Sequence, residues 1–315
     1  LQAKAKTKAS RRGNHTDNGT KKSSISAWLM PGAAVAIVAI CFGICYQNFA
    51  KDTIRNEQVV LAPANQSFIE PTQRQFECAK AYTAELRHLR PDCLPASCGR
   101  FVHYGIATEA EAAALLALAK RGFALGGGSG GATILDLHSG ALSLGQKFVN
   151  VYTVDGRNGG RGFVPTESER RLYAGVVNRI RLAVAAAFKV SNAESLRLTK
   201  PTFFSRLTSA EARTQHDEYW HSHVDKDTYG SFHYTSLLYL ANYGTDFTGG
   251  RFLFLDSNGT STAFVEPRTG RVSAFTSGSE NTHRVERVTS GQRFALTIAF
   301  TCDPAAAIDP SAMGG

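Results

Sequence analysis

The sequence predicts an α+β fold: a jelly-roll β-sandwich or barrel braced by N-terminal helices and preceded by a single transmembrane helix. Three observations carry that prediction. Short β-prone runs separated by Gly- and Ser-rich turns crowd residues 235–300, which is the pattern of sandwiches and barrels. Two helical periodicities with capping signals precede them. An uncharged apolar run near the N-terminus has the length of a bilayer span, about 20 residues.

The chain has 315 residues and a formal net charge of +9, distributed unevenly. Residues 1–27 hold seven Lys/Arg against one acid, Asp17. That charge belongs to a tail with no interleaved aromatic residue. It reads as a disordered cytosolic segment, and no nucleic-acid partner is expected. Residues 28–49 form the predicted transmembrane helix, with Trp28 and Tyr46 at interface positions and Pro31 in the first turn, where proline is tolerated. A buried soluble helix and a cleaved signal peptide are the alternatives. Residues 8–27 carry five Lys/Arg and residues 51–70 carry two, although a narrower window gives two on each side. The wider count favours a cytosolic N-terminus, and so a type II single-pass protein. Its C-terminal part would lie in the lumen of the endoplasmic reticulum or secretory pathway.

Residues 50–75 are polar, contain Pro63 and Pro71, and are expected to form a stalk. Two glycosylation sequons follow the span, at Asn65 and Asn258; those at Asn14 and Asn18 precede it. Residues 76–197 form a helical, Cys-containing part. Cys78, Cys93, Cys98 and Cys302 permit two disulfides in an oxidising compartment, with Cys93–Cys98 the expected local pair and free thiols the alternative. The run TEAEAAALLALAKRG is a helix with Thr108 as N-cap, Glu111 as capping-box partner and Gly122 at its end. A longer helix starts at Thr166 with Glu169 in the same role. Its Leu172, Val176, Ile180, Val184 and Phe188 form a stripe to pack on a sheet. The Gly-rich run around Gly126, Gly128 and Gly131 lacks the Lys-Ser/Thr of a phosphate loop and reads as a mobile loop. Residues 198–303 hold the strands, and residues 304–315 are a tail.

The chemistry lies in YWHSHVDKD and SENTHRVER. His223 and Asp225, two apart on a strand, would point to one side. His283 on another strand could close a triangle around one ion. Two imidazoles and a carboxylate that leave positions open form the donor set of non-haem Fe(II) oxygenases. Arg293, ten positions after His283 in the last long strand, would need an anion if buried, and its planar fork suits a carboxylate. A zinc site built from His221 and His223 with Asp217 or Asp225 is the alternative, but leaves His283 and Arg293 unexplained. Polar or partly buried roles are expected for His216 and His233.

Over residues 198–303 these motifs resemble the 2-oxoglutarate- and Fe(II)-dependent dioxygenases of the prolyl 4-hydroxylase-like branch. The likeness rests on His223-x-Asp225, His283, Arg293, the Gly249–Gly250 strand opener and Tyr239–Leu240. It implies a double-stranded β-helix core with iron ligated by His223, Asp225 and His283. It further implies Arg293, with Tyr239, on the distal carboxylate of 2-oxoglutarate, ascorbate as reductant, and O₂ as the oxidant. A carboxylate at Asp225 favours hydroxylation, because halogenating members carry a small residue there. The expected substrate is a protein or peptide side chain. A small molecule or lipid, or a catalytically silent binding module, are the alternatives.

Overall fold

Alternation along the strands decides the architecture, which is seen in a computed structural model describing residues 58–67, 71–153 and 162–313. The chain divides into Leu1–Asn56 and Glu57–Gly315, and every described residue falls in the second unit. The expected tail and span lie outside the described residues. Among those described, no helix is long and apolar enough to cross a membrane.

The order is β1 (Val59–Ala62), β2 (Thr72–Phe76), α1 (Lys80–Leu89), β3 (Cys98–Tyr104), α2 (Glu109–Phe123), β4 (Gly127–Gly128), β5 (Ala132–Leu135), β6 (Ala141–Gly145), β7 (Lys147–Asn150) and α3 (Glu167–Ala187). There follow β8 (Arg197–Thr208), α4 (Asp225–Tyr229), β9 (Tyr234–Tyr239), β10 (Phe247–Gly249), β11 (Phe252–Leu255), β12 (Ser261–Val265), β13 (Arg271–Thr276), β14 (His283–Val285) and β15 (Val288–Thr301). The larger sheet runs β2-β3-β13-β9-β15-β8-β5-β6-β4, and the smaller runs β1-β12-β11-β14.

β9 and β15 of the larger sheet each serve two cores, because successive side chains alternate in side. Tyr234 and Leu238 of β9, with Phe294, Leu296, Ile298 and Phe300 of β15, join the helical core. Leu237, Tyr239 and Ala295 pack instead against Phe252, Phe254 and Val265 of the smaller sheet. The helices cover one face, the smaller sheet covers the other, and this is the predicted jelly roll. Both capping boxes form: Thr108 with Glu111 on α2 and Thr166 with Glu169 on α3. Val176, Ile180, Val184 and Phe188 of the α3 stripe are buried as expected, while Leu172 is only partly so.

Four expectations need correction. Part of the stalk is folded: β1 pairs in parallel with β12, and β2 pairs with β3. Pro63 follows β1 and Pro71 precedes β2, so each proline bounds a strand rather than interrupting one. Buried Arg271 fastens this segment by donating to the carbonyls of Ala62, Pro63 and Gln66. Residue 198 does not begin a separate domain, since β2, β3, β5 and β6 share the sheet with β8. The Gly-rich run contributes β4, parallel to β6. A Cβ at Gly128 would stand 1.9 Å from the Ala132 carbonyl oxygen, so the glycine serves close approach. Finally, the disulfides are Cys78–Cys98 and Cys93–Cys302, not Cys93–Cys98. The 3₁₀ turn Pro91–Cys93 sets Cys93 beside the end of β15, and β3 carries Cys98 beside Cys78. Spacing along the chain gave no access to that proximity.

Candidate active site

The inner faces of β8, β9, β13 and β15 form much of the wall of a cavity of about 510 Å³. Phe203, Ser205 and Leu207 come from β8, Thr235 and Leu237 from β9, Phe275 from β13, and Arg293 and Thr297 from β15. Within each strand the contributors are spaced by even numbers of residues, as one sheet face requires. Its wall includes His223, Asp225 and His283.

These three are the one group among the described residues able to hold a metal, with ligand atoms within 4.8 Å of one another. Their local structure differs from expectation. His223 and Asp225 do not share a regular strand. His223 exchanges both backbone hydrogen bonds with His283 across an isolated bridge, and Asp225 opens α4. The turn from bridge into helix still brings Asp225 Oδ1 to 3.5 Å from His223 Nε2 and 3.6 Å from His283 Nε2.

Each donor is oriented from behind. His223 Nδ1 lies 3.1 Å from the His221 carbonyl oxygen, and His283 Nδ1 lies 2.8 Å from that of Asn281. Both contacts place the proton on Nδ1 and leave Nε2 as a lone-pair donor. Thr235 Oγ1 donates to Asp225 Oδ2 at 2.6 Å. The His283 ring is stacked on Phe252 at 4.9 Å and packed by Phe275. Arg100 Nε donates to Asn281 Oδ1 and so fixes the loop that supplies the carbonyl to His283.

Burial holds His283 neutral down to about 4. Burial is the largest influence on His223 and opposes its charge, but the hydrogen bonds to Asp225 and the His221 carbonyl together with the Asp225 charge outweigh it, and the pKa of His223 lies above the usual histidine value. Asp225 is buried, which favours its neutral form, yet the two histidines and Thr235 hold its pKa below the ordinary carboxylate value. The result is an anionic carboxylate facing two ring nitrogens, a set suited to a divalent cation.

Arg293 is 1% exposed. Its Nε donates to the Gly250 carbonyl at 2.9 Å, while Nη2 has no hydrogen-bond partner. Burial lowers its pKa, and no carboxylate offsets this. A buried guanidinium lining a cavity with an unsatisfied donor fits an anionic guest. Gly250 permits the arrangement, since its φ is +65° and a Cβ there would press on Arg293 Cδ at 3.1 Å.

The remaining candidates divide. Tyr239 lies beneath the Arg293 guanidinium, 5.6 Å from ring centroid to Cζ, but its hydroxyl bonds Ser273 and it is not among the cavity-lining residues. Tyr219 lines the cavity instead and accepts a hydrogen bond from Val288 N. His221 is exposed and paired with Glu218, and His233 is buried against Glu85 and Lys226; neither joins the triad. Asp217 accepts from Arg213 N and Thr214 N, so the zinc alternative finds no support. Asn65 and Asn258 are both exposed, Asn258 in the turn between β11 and β12. Thr235 escaped sequence reasoning although its period-two relation to Leu237 and Tyr239 placed it on the inward face. Asn281 and Arg100 act through contacts that no local motif announces.

A two-sheet roll whose cavity offers two imidazoles, one carboxylate and a buried arginine has the donor set of a non-haem iron oxygenase. The family model of the 2OG-Fe(II) oxygenase superfamily matches residues 209–301. The chain is 54% identical over 230 residues to human 2-oxoglutarate and iron-dependent oxygenase domain-containing protein 3, covering 73% of this chain and 70% of that one. The Xenopus tropicalis protein of that name is 51% identical over 251 residues, covering 79% and 75%. Mouse prolyl 3-hydroxylase 1 is 32% identical over 182 residues, which are 50% of this chain and 23% of that protein. The chain belongs to the 2-oxoglutarate- and Fe(II)-dependent oxygenase superfamily, whose cofactor is Fe(II) and whose co-substrate is 2-oxoglutarate.

Proposed function

We propose that this protein is a membrane-anchored hydroxylase of a protein or peptide side chain, with His223, Asp225 and His283 holding Fe(II) and Arg293 pairing with the distal carboxylate of 2-oxoglutarate. The observation that carries the reading is the convergence, on one cavity, of the triad and the unsatisfied Nη2 of Arg293. Iron with its co-substrate supplies the chemistry: one atom of O₂ enters a C–H bond, the other enters succinate, and CO₂ leaves. Ascorbate serves as reductant, as the likeness to prolyl hydroxylases suggests.

The chain's own residues bind, orient and exclude water. Asp225 Oδ1 and the Nε2 atoms of His223 and His283 would hold the ion, a donor set that leaves positions for co-substrate and O₂. Phe252, Phe275 and Leu237 wall the site with apolar surface, which strengthens the charge pairing within. Ile134, Ala141 and Phe148 of β5–β7, with Pro201 of β8, line the same cavity. Phe148 is 53% exposed, a large apolar side chain at a site that must admit a substrate.

Comparing peptides by mass spectrometry from cells with the wild type or Asp225→Ala tests the substrate class. Peptides gaining one oxygen only with the wild type are expected; the absence of any such peptide would remove the protein-substrate reading. The basic tail and apolar run favour a lumenal domain, so Asn65 and Asn258 should carry glycans. Endoglycosidase should lower the apparent mass, and Asn65→Gln and Asn258→Gln should each remove part of that shift. Digestion of the oxygenase domain by protease added to intact microsomes, with no glycan on either site, would put the domain in the cytosol.

A further inference from the structure

Asp225 has two carboxylate oxygens, and the structure treats them differently. Oδ1 faces both imidazoles, at 3.5 and 3.6 Å. Oδ2 is turned away and held at 2.6 Å by the Thr235 hydroxyl. Asp225 and Thr235 are 4% and 2% exposed, so water does not compete freely for either.

The direction of the hydrogen bonds is fixed by valence. Thr235 has one hydroxyl proton, and an ionised carboxylate can only accept. The proton therefore points at Oδ2. The Ser277 hydroxyl, 2.9 Å from Thr235 Oγ1, must then donate to it. Ser277 is buried as well, and its carbonyl accepts from the backbone N–H of Lys226, the neighbour of Asp225. Serine, threonine and aspartate thus form a one-way chain whose last member is the candidate ligand. Thr235 is set by the ladder of β9 with β13, where it lies opposite Phe275, and Ser277, just past the end of β13, is held by its N–H donating to the His233 carbonyl.

We infer that Thr235 is a positioning residue that makes Asp225 a one-oxygen ligand, keeping Oδ2 off the ion so that the position it would take remains open for co-substrate or O₂. The inference rests on the proposed iron site. A carboxylate without this tether could rotate and chelate through both oxygens. An ion with two histidines and a two-oxygen aspartate would have one fewer open position than an incoming bidentate acid plus O₂ require.

The test uses the full chain with Thr235→Val, which keeps the branched shape and removes the hydroxyl, and with Thr235→Ser, which restores it. Fe(II) is titrated anaerobically, first alone and then with 2-oxoglutarate, and the visible charge-transfer band is followed. Loss of such an outer partner typically weakens metal affinity about 10–100-fold. Thr235→Val should show a loss of that order or, if the carboxylate chelates, near-normal Fe(II) affinity with a shifted or weakened band on adding 2-oxoglutarate. Thr235→Ser should restore both affinity and band. Ser277→Ala, which removes the donor to Thr235 but not the tether itself, should fall between them and supplies the reading if Thr235→Val does not fold. Wild-type Fe(II) affinity and an unaltered band in Thr235→Val, or in Ser277→Ala where that variant stands in for it, would overturn the inference. A wild type that binds no Fe(II) would instead overturn the iron site on which the inference rests.

Discussion

Replacing His283 with alanine is expected to abolish measurable Fe(II) binding, with His223→Ala and Asp225→Ala close behind. Each removes a direct ligand, so the loss should exceed the ~10–100-fold that follows loss of an outer partner. His283 should be the most damaging of the three. It is 3% exposed and packed by Phe252 and Phe275, so alanine leaves a gap walled by apolar rings that give a substitute water few hydrogen-bond partners. His223 is more exposed, and a water could replace it in part. The pH dependence distinguishes the two imidazoles. Metal needs both rings neutral, and burial keeps His283 neutral down to about 4. His223, whose pKa is raised through Asp225, holds the proton that the ion must displace. Fe(II) affinity should therefore fall as pH drops through the raised His223 value, while protonation of His283 matters only near pH 4. Isothermal titration under argon, repeated from neutral to mildly acidic pH, checks both statements. Iron binding by the triple-alanine variant as tight as that of the wild type would remove the metal assignment.

Much of this site was legible in the sequence because its parts are chemically conspicuous. A His-x-Asp, a later His and an Arg ten positions on are side chains a jelly-roll core does not need for packing. The strands from residue 234 onward follow from β-prone runs between glycine turns, and both long helices from reciprocal Thr–Glu caps, since local physics sets each of these. What stayed hidden depended on proximity between distant segments. Val59–Ala62 is too short to declare itself a strand without β12 beside it, and the Cys93–Cys302 bridge joins residues 209 apart. The HSHVD segment departs from a regular strand for a different reason. Side chains two apart do share a face of a strand, but here the chain passes from a single bridge into a helix, and the convergence of His223 and Asp225 arises from that bend. Tyr239 occupies the expected strand position, with its hydroxyl 2.9 Å from that of Ser273.

Arg293→Ala should leave Fe(II) binding nearly intact and remove most of the affinity for 2-oxoglutarate. The argument starts from the cost of the charge. In the structure the guanidinium is buried, its Nε satisfies one carbonyl, and Nη2 is left without a partner. Such a group opposes folding unless an anion arrives. A dicarboxylate whose far end reaches Arg293 cancels that cost, so co-substrate binding and protein stability are linked. Breaking one side of a buried charged pair typically costs about 3–5 kcal/mol, which is on the order of a 10²- to 10⁴-fold rise in the 2-oxoglutarate requirement. The linkage supplies a second readout free of turnover. At 100 times its Kd a ligand stabilises the native state by roughly 2.7 kcal/mol. The wild type loaded with a redox-silent divalent ion should therefore melt higher when 2-oxoglutarate is added, and Arg293→Ala should not respond at that concentration. Arg293→Lys keeps a charge but loses the planar fork and the bond to Gly250, so it should recover only part of the response. Without ligand, the alanine variant should lose less stability than the size of the truncated side chain suggests, because the cavity it opens is offset by removal of an unpaired buried cation. An unchanged 2-oxoglutarate affinity, together with an unchanged ligand-induced rise in melting temperature, would assign the anion to another group, and Tyr219 on the same cavity wall would be the next residue to replace.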